Sequence, residues 1–157
     1  MAYYHVSEHK YKTGDIIKAG YYGGLVKSNL TSQRSQFEQW LESIRQASTN
    51  NKNIISRLHC IFAFTEANNA EGLYLTKKLS SSNVSIYEID PLQGDSISEH
   101  NFKIITYLHE LADKKSNWKI DDFADAYWSG LREPIMTVNE VVMESLIGCD
   151  ARVTKIF

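Results

Sequence analysis

Leu58-His59-Cys60-Ile61-Phe62-Ala63-Phe64 is an apolar run broken only by His59, and its length and continuity suit a buried strand. Thr65 follows in a position to cap a helix whose apolar side is Ala67, Ala70, Leu73 and Tyr74. Ser80-Ser81-Ser82-Asn83 interrupts that helix, and Val84 to Ile89 returns to strand. Upstream of the run, Ser48 to Asn53 is a polar break. Before it, Phe37, Trp40, Leu41 and Ile44 follow the spacing of one helix face, with Ser35 and Glu38 as a candidate capping box.

Both ends of the chain are strand-rich. Tyr3, Tyr4 and Val6 around His5 predict a strand, and Lys12-Thr13-Gly14-Asp15 a turn into Ile16-Ile17. Gly20-Tyr21-Tyr22-Gly23-Gly24 reads either as an ordered loop making a close backbone approach or as a hinge-like connector. Toward the C-terminus, Phe102, Ile105, Leu108 and Leu111 or Ala112 mark a helix. Phe123, Ala124, Tyr127 and Trp128 mark a shorter one stopping at Gly130, and an exposed connection begins at Pro134. The runs Glu140 to Ile147 and Ala151 to Phe157, separated by Gly148-Cys149-Asp150, are expected to form a terminal hairpin. Strands at both ends with helices between them define an α+β fold, without internal repeats.

At 157 residues and 43% hydrophobic, the chain fits one domain over residues 1–157 with a core of its own. A formal net charge of -2 removes any global attraction to phosphate backbones or anionic lipid, although a local basic patch stays open. No window approaches the ~20 apolar residues of a membrane helix, and the N-terminus lacks the basic stretch and apolar run of a signal peptide, so a cytoplasmic protein without a membrane partner is expected. Cys60 and Cys149 are expected to be reduced, packed thiols, and their surroundings lack zinc spacing, so no metal is expected. Neither a P-loop, a GxGxxG fingerprint nor a GxSxG elbow is present, which removes kinase, Rossmann dehydrogenase and α/β-hydrolase readings.

Three segments together resemble a family. Tyr3-Tyr4-His5-Val6-Ser7, followed by Lys12-Thr13-Gly14-Asp15-Ile16-Ile17-Lys18-Ala19-Gly20, is similar to the opening of the rifampicin ADP-ribosyltransferases and related bacterial proteins. Ser56-Arg57-Leu58 through Phe64-Thr65-Glu66-Ala67 to Val84-Ser85-Ile86-Tyr87-Glu88 resembles that family's strand, helix and strand ending in an acidic turn. Tyr127-Trp128-Ser129-Gly130, then Asn139-Glu140-Val141-Val142-Met143, resembles the strand that begins with the catalytic glutamate. The resemblance spans nearly the whole chain with short motifs. It implies a split β-sheet with intervening helices that clasps NAD, the co-substrate, in a cleft.

It also implies roles for individual residues. His5 matches the histidine that fixes the dinucleotide through ribose hydroxyls, the alternative being a histidine packed in an edge strand. Phe62 and Phe64 stand where the family often has a tyrosine. A phenyl ring stacks on nicotinamide but supplies no hydroxyl, a contact that Tyr21 or Tyr22 would then provide. Arg57 is a candidate partner for a pyrophosphate oxygen or a plain surface arginine. Two residues compete as catalytic acid: Glu140, preferred because it precedes a buried strand, and Asp95, which matches the acidic turn of the rifampicin enzymes. The ordinary reading of both is a solvated carboxylate at an element end.

The chemistry so implied breaks the bond between nicotinamide and ribose, and positive charge grows on the sugar as in glycoside cleavage. A carboxylate against the 2′-hydroxyl becomes more favourable as that charge develops. Walls that exclude water separate a transferase from an NAD glycohydrolase. A small free-standing transferase of this kind resembles intracellular bacterial toxins and phage-defence effectors. Their acceptor is a protein or a nucleic acid such as messenger RNA, with a small antibiotic as the third class; a toxin also implies a neutralising antitoxin or immunity partner. Lysines 10, 12, 18, 77, 78, 103, 114, 115 and 119 are candidates for a phosphate-attracting face. The rival from another class is a catalytically inactive NAD- or nucleotide-binding module of the same fold.

Overall fold

The computed structural model describes residues 1–114 and 117–157. In chain order the elements are β1 (Tyr3–Ser7), β2 (Ile16–Ile17), α1 (Tyr21–Ser28), α2 (Gln33–Ala47), a 3-10 turn (Arg57–His59), β3 (Ile61–Ala63) and α3 (Ala67–Lys78). They continue with β4 (Ser85–Pro91), β5 (Ile97–Asn101), α4 (Phe102–Asp113), α5 (Asp121–Trp128), β6 (Met143–Ile147) and β7 (Ala151–Ile156). The fold is α+β. Among the described residues, no helix is long and apolar enough to cross a membrane.

Two antiparallel sheets organise these elements. One has the order β1-β4-β7-β2, the other β3-β6-β5. They are joined edge to edge where Tyr4 and Phe64 exchange two backbone hydrogen bonds of 2.8 and 2.9 Å. Alternation along the strands then sorts side chains into three apolar clusters. Ile17, Ile61, Ala63, Tyr87, Ile89, Ile147, Ala151 and Val153 come from both sheets and fill the space between them. The opposite face of the second sheet buries Leu146 against α2, α4 and α5 through Phe37, Leu41, Ile104, Leu108, Tyr127 and Trp128. α3 packs Ala70, Leu73 and Tyr74 on Val6, Phe64 and Val84.

Several local expectations are corrected. The glycine-rich segment after Gly20 is helical, because α1 lies directly on the turn containing Leu58, where only glycine fits at position 23. The run from Leu58 is part 3-10 turn and part strand, since Arg57 must enter the interior before β3 begins. α2 starts earlier than expected and is capped by Ser32, whose Oγ accepts from the Ser35 amide, so Glu38 serves no capping box. β6 and β7 form no hairpin: β6 pairs with β3 and β5, β7 with β4 and β2. The link between them is held by the β4–β5 turn, with Gly148 N donating to Ser96 O and Leu92 N to Asp150 O, so the chain changes sheets there. Of the candidate lysines, Lys115 lies outside the described residues. The others are spread over the β1–β2 loop, the segment after β2, α3, α4 and the segment before α5.

Candidate functional site

Arg57 sits between two buried carboxylates, 5% exposed. Its Nε donates to Glu38 Oε2 at 3.1 Å and its Nη1 to Glu144 Oε1 at 2.6 Å and to the Tyr127 hydroxyl at 2.8 Å. The Tyr127 hydroxyl in turn donates to Glu144 Oε1 at 2.6 Å. Tyr22 donates to Glu38 Oε1 at 3.1 Å, and the Phe62 ring lies 4.6 Å below the guanidinium and 5.4 Å from the Tyr22 ring. Each element contributes one member: α1 Tyr22, α2 Glu38, α5 Tyr127, β6 Glu144 and β3 Phe62.

Burial works against every charge in this cluster and the ion pairs answer it. It opposes the Arg57 cation, yet Glu38, Tyr127 and Glu144 together hold Arg57 well above its ordinary range. Burial raises the Glu144 carboxyl against the pull of Arg57 and the Tyr127 hydroxyl. Tyr22 is pushed up to about 12, first by burial and then by Glu38. Cys60, buried beside Arg57, is likewise raised by burial, which makes it a packed thiol and a poor nucleophile.

His5 adjoins the cluster from the other side. Its Nδ1 lies 2.7 Å from the carbonyl oxygen of Phe62, and burial first, with Lys77 behind it, holds its pKa below 6.5. A neutral imidazole facing a carbonyl carries its proton on Nδ1, so Nε2 is an acceptor.

A shallow groove of about 510 Å³ runs along β5, the edge strand of the second sheet. Tyr3 lines it from β1, Gly94 from the β4–β5 turn, Ile97, Ser98 and Glu99 from β5, and Gly130 and Arg132 from the segment after α5. Glu99 and Arg132 form an ion pair across it. Ser98 Oγ, at the groove, and the buried His100 Nε2 are 2.9 Å apart, and His100 Nδ1 meets the Tyr127 carbonyl at 2.8 Å. A smaller cavity of about 230 Å³ lies between α2 and α4 beside Arg34, Phe37 and His109. Among the described residues no three His, Cys, Asp or Glu side chains cluster as a metal ligand set.

The structure therefore gathers Tyr22, Arg57 and Phe62 into one buried cluster, with His5 against it. Arg57 is saturated by internal partners rather than presented to solvent. Tyr21 is 66% exposed on α1, away from the cluster, and Phe64 is a core residue packed edge-on against Phe102. Asp95 is exposed in the β4–β5 turn, next to Gly94 at the groove. Glu140 lies before β6 rather than at its start, exposed and paired with Lys103 at 3.0 Å. Glu38 and Tyr127, noted in the sequence only as helix residues, join Glu144, Glu99 and Arg132 as site residues that the sequence did not identify. One signal was there: a carboxylate inside the apolar run Val141 to Ile147 demands a buried partner.

Comparison with known proteins adds a family. No curated protein matches the chain. Residues 22–157, which hold the Arg57 cluster and the groove residues from β5 and the segment after α5, match the family described as protein of unknown function (DUF2441), and the chain belongs to that family.

Proposed function

We propose that the protein is an NAD-dependent mono-ADP-ribosyltransferase, with the two joined sheets as its split β-sheet and the groove beside β1 and β5 as the mouth of its NAD cleft. The observation that carries the reading is His5: a neutral histidine at the junction of the two sheets, with Nδ1 committed to a backbone carbonyl and Nε2 left to accept from a ribose hydroxyl. The strand orders, with β1 and β3 meeting at the junction, and the resemblance of the β1 and β3 segments support it.

NAD supplies the ADP-ribosyl group and, in nicotinamide, a leaving group that departs with the bonding electron pair. A nucleophile of the acceptor bonds to the ribose carbon and releases its proton to solvent. His5 would orient the dinucleotide, while Tyr3 and Ile97 provide an apolar wall at the groove. Asp95, whose turn borders the groove, is better placed for the acid's role than Glu140, which is tied to Lys103 outside it. The acceptor is a macromolecule, nucleic acid or protein, as for an intracellular toxin or phage-defence effector controlled by an antitoxin.

A second reading, a module that binds NAD without turning it over, is favoured by one observation. Phe62 and Phe64 provide no phenol, and one of them is spent on Arg57 and the other on the core. Incubation with labelled NAD and cell extract, beside His5→Ala, Asp95→Asn and Glu140→Gln, separates these cases. Label on a macromolecule, lost in His5→Ala and in one acidic variant, is the expected result; ribonuclease or protease sensitivity then names the acceptor. Nicotinamide release without labelling identifies a glycohydrolase. Binding without release leaves the module, and neither binding nor release overturns both.

A further inference from the structure

β5 ends the strand order β3-β6-β5, so β6 is its one strand neighbour among the described residues. Gly148 N donates to Ser96 O and Phe102 N to Val142 O in the same register, so the even-numbered positions from 96 to 102 turn their main-chain groups toward β6. Ile97 and Glu99, between them, turn theirs to the open edge. Among the described residues, no hydrogen-bond partner meets the N–H or C=O of either, and both residues are partly exposed.

The groove follows this edge and has a wall on each face of the sheet. Ile97 is opposite Ile147 and shares the inter-sheet face with Glu99, and there Tyr3 forms one wall. Ser98, opposite Leu146, shares the helix-bearing face, and there Ser129 and Gly130 form the other. Gly130 passes the Glu99 carbonyl so closely that a Cβ would stand 3.0 Å from the oxygen. Unpaired donors and acceptors along the floor of such a slot match the main chain of one more strand. A nucleic acid instead offers phosphates, which carbonyls and a carboxylate repel. The walls suit a lone extended segment, since the edge of a second copy would bring its own walls against them. Charge narrows the choice. Arg132 reaches over the edge from the helix side to the Glu99 carboxylate, so Glu99 already takes a cation. The Arg132 side chain is 61% exposed, and a pair so exposed is weak enough to be exchanged for another.

We propose that the open edge of β5 is a docking site for an extended segment of a partner protein, which joins the second sheet as a fourth strand and places a lysine or arginine on Glu99 in exchange for Arg132. Main-chain bonds to Ile97 and Glu99 hold the segment, and Glu99 selects its basic residue. Tyr3 and Ile97 also wall the proposed NAD cleft, so the segment and NAD would compete. That consequence alone rests on the ADP-ribosyltransferase reading.

Octapeptides selected from a random display library on the whole chain, without NAD, test it, with backbone amide exchange followed by NMR. In the free protein the Ile97 and Glu99 amides should exchange rapidly while those of Ser98 and His100 are protected. Selected peptides should carry a basic residue and slow exchange at Ile97 and Glu99 by at least about tenfold. Glu99→Lys should weaken their binding by about tenfold or more, the scale of a lost charged hydrogen bond. Arg132→Ala, which removes the competing cation, should tighten it by up to about fivefold. A selection without binders, peptides that bind and leave both amides unprotected, or amides already protected in the free protein by self-association each overturn the proposal. Equal protection by a single-stranded oligoribonucleotide does so too. Added NAD should release the bound peptide; a peptide retained at saturating NAD overturns the groove as the NAD cleft and leaves the docking edge standing.

Discussion

Arg57 is the residue on which the buried charges of Glu38 and Glu144 depend. Its planar fork serves two carboxylates and a phenol at once, a geometry that a lysine ammonium cannot reproduce. Arg57→Met would leave Glu38 and Glu144 buried without a cation and should cost about 3–5 kcal/mol, read as a lower urea midpoint. Arg57→Met combined with Glu38→Gln and Glu144→Gln should recover part of that loss; a triple variant no more stable than Arg57→Met would show that the carboxylates are not the reason. The sequence showed Arg57, Tyr22 and Phe62 as candidates but not their partners. Glu38 lies 19 residues from Arg57, Tyr127 lies 70 and Glu144 lies 87, and such pairings are set by topology rather than by local pattern.

At the scale of elements, α1 carries the sharpest steric constraint. A Cβ at Gly23 would fall 1.8 Å from the Leu58 carbonyl oxygen, a backbone atom that cannot turn aside. Gly23→Ala should therefore displace α1 from the turn beneath it and cost about 1–3 kcal/mol or more. Gly24 has no heavy atom within 4 Å of such a Cβ, so Gly24→Ala in the same helix should gain about 0.5–1 kcal/mol. Opposite shifts in melting temperature are the expected outcome, and equal ones would sink the packing account. The periodic helices α2, α4 and α5 were legible because each has an apolar face to bury. α1 was not, because two of its eight residues are glycines, poor helix formers that here permit close approach. β5 was also missed: Ile97-Ser98-Glu99-His100-Asn101 has little apolar pattern, since Ser98 and His100 point toward a polar contact with α5.

For the molecule as a whole, the buried histidines set the response to acid. Burial, with Arg57 adding to it, lowers His100 to about 4, and burial lowers His109 to about 3. Both therefore stay neutral in the folded protein at pH values where the unfolded chain, near 6.5, already takes up protons. The unfolded state binds more protons across that window, so stability should fall as pH drops from about 6.5 toward 4. Glu42, lowered through its hydrogen bonds to Arg45 and Ser56 against the opposing effect of burial, adds to the loss at the acid end; Glu144, raised by burial, acts in the opposite direction. Urea midpoints measured across this range should decline, and His100→Gln should flatten the decline; an unchanged slope would show that His100 is not the titrating group. The α+β class was legible from strands at both ends and helices between them. The assignment of strands to sheets was not, because the step between β6 and β7 resembles a hairpin in sequence and is a crossing in space.

That crossing also shapes how the chain must fold. One sheet draws its strands from the first, second, fourth and seventh positions in the chain and the other from the third, fifth and sixth, so neither is a contiguous segment. Neither sheet can be excised as a fragment, and β7 must insert between β4 and β2. Pairings of such long sequence separation must close large loops before they return any stability, which makes folding slow compared with a helical protein of equal length. Until β7 is in place, one edge of β4 stays unpaired and β2 has no strand to join, so completion of this sheet waits on β7.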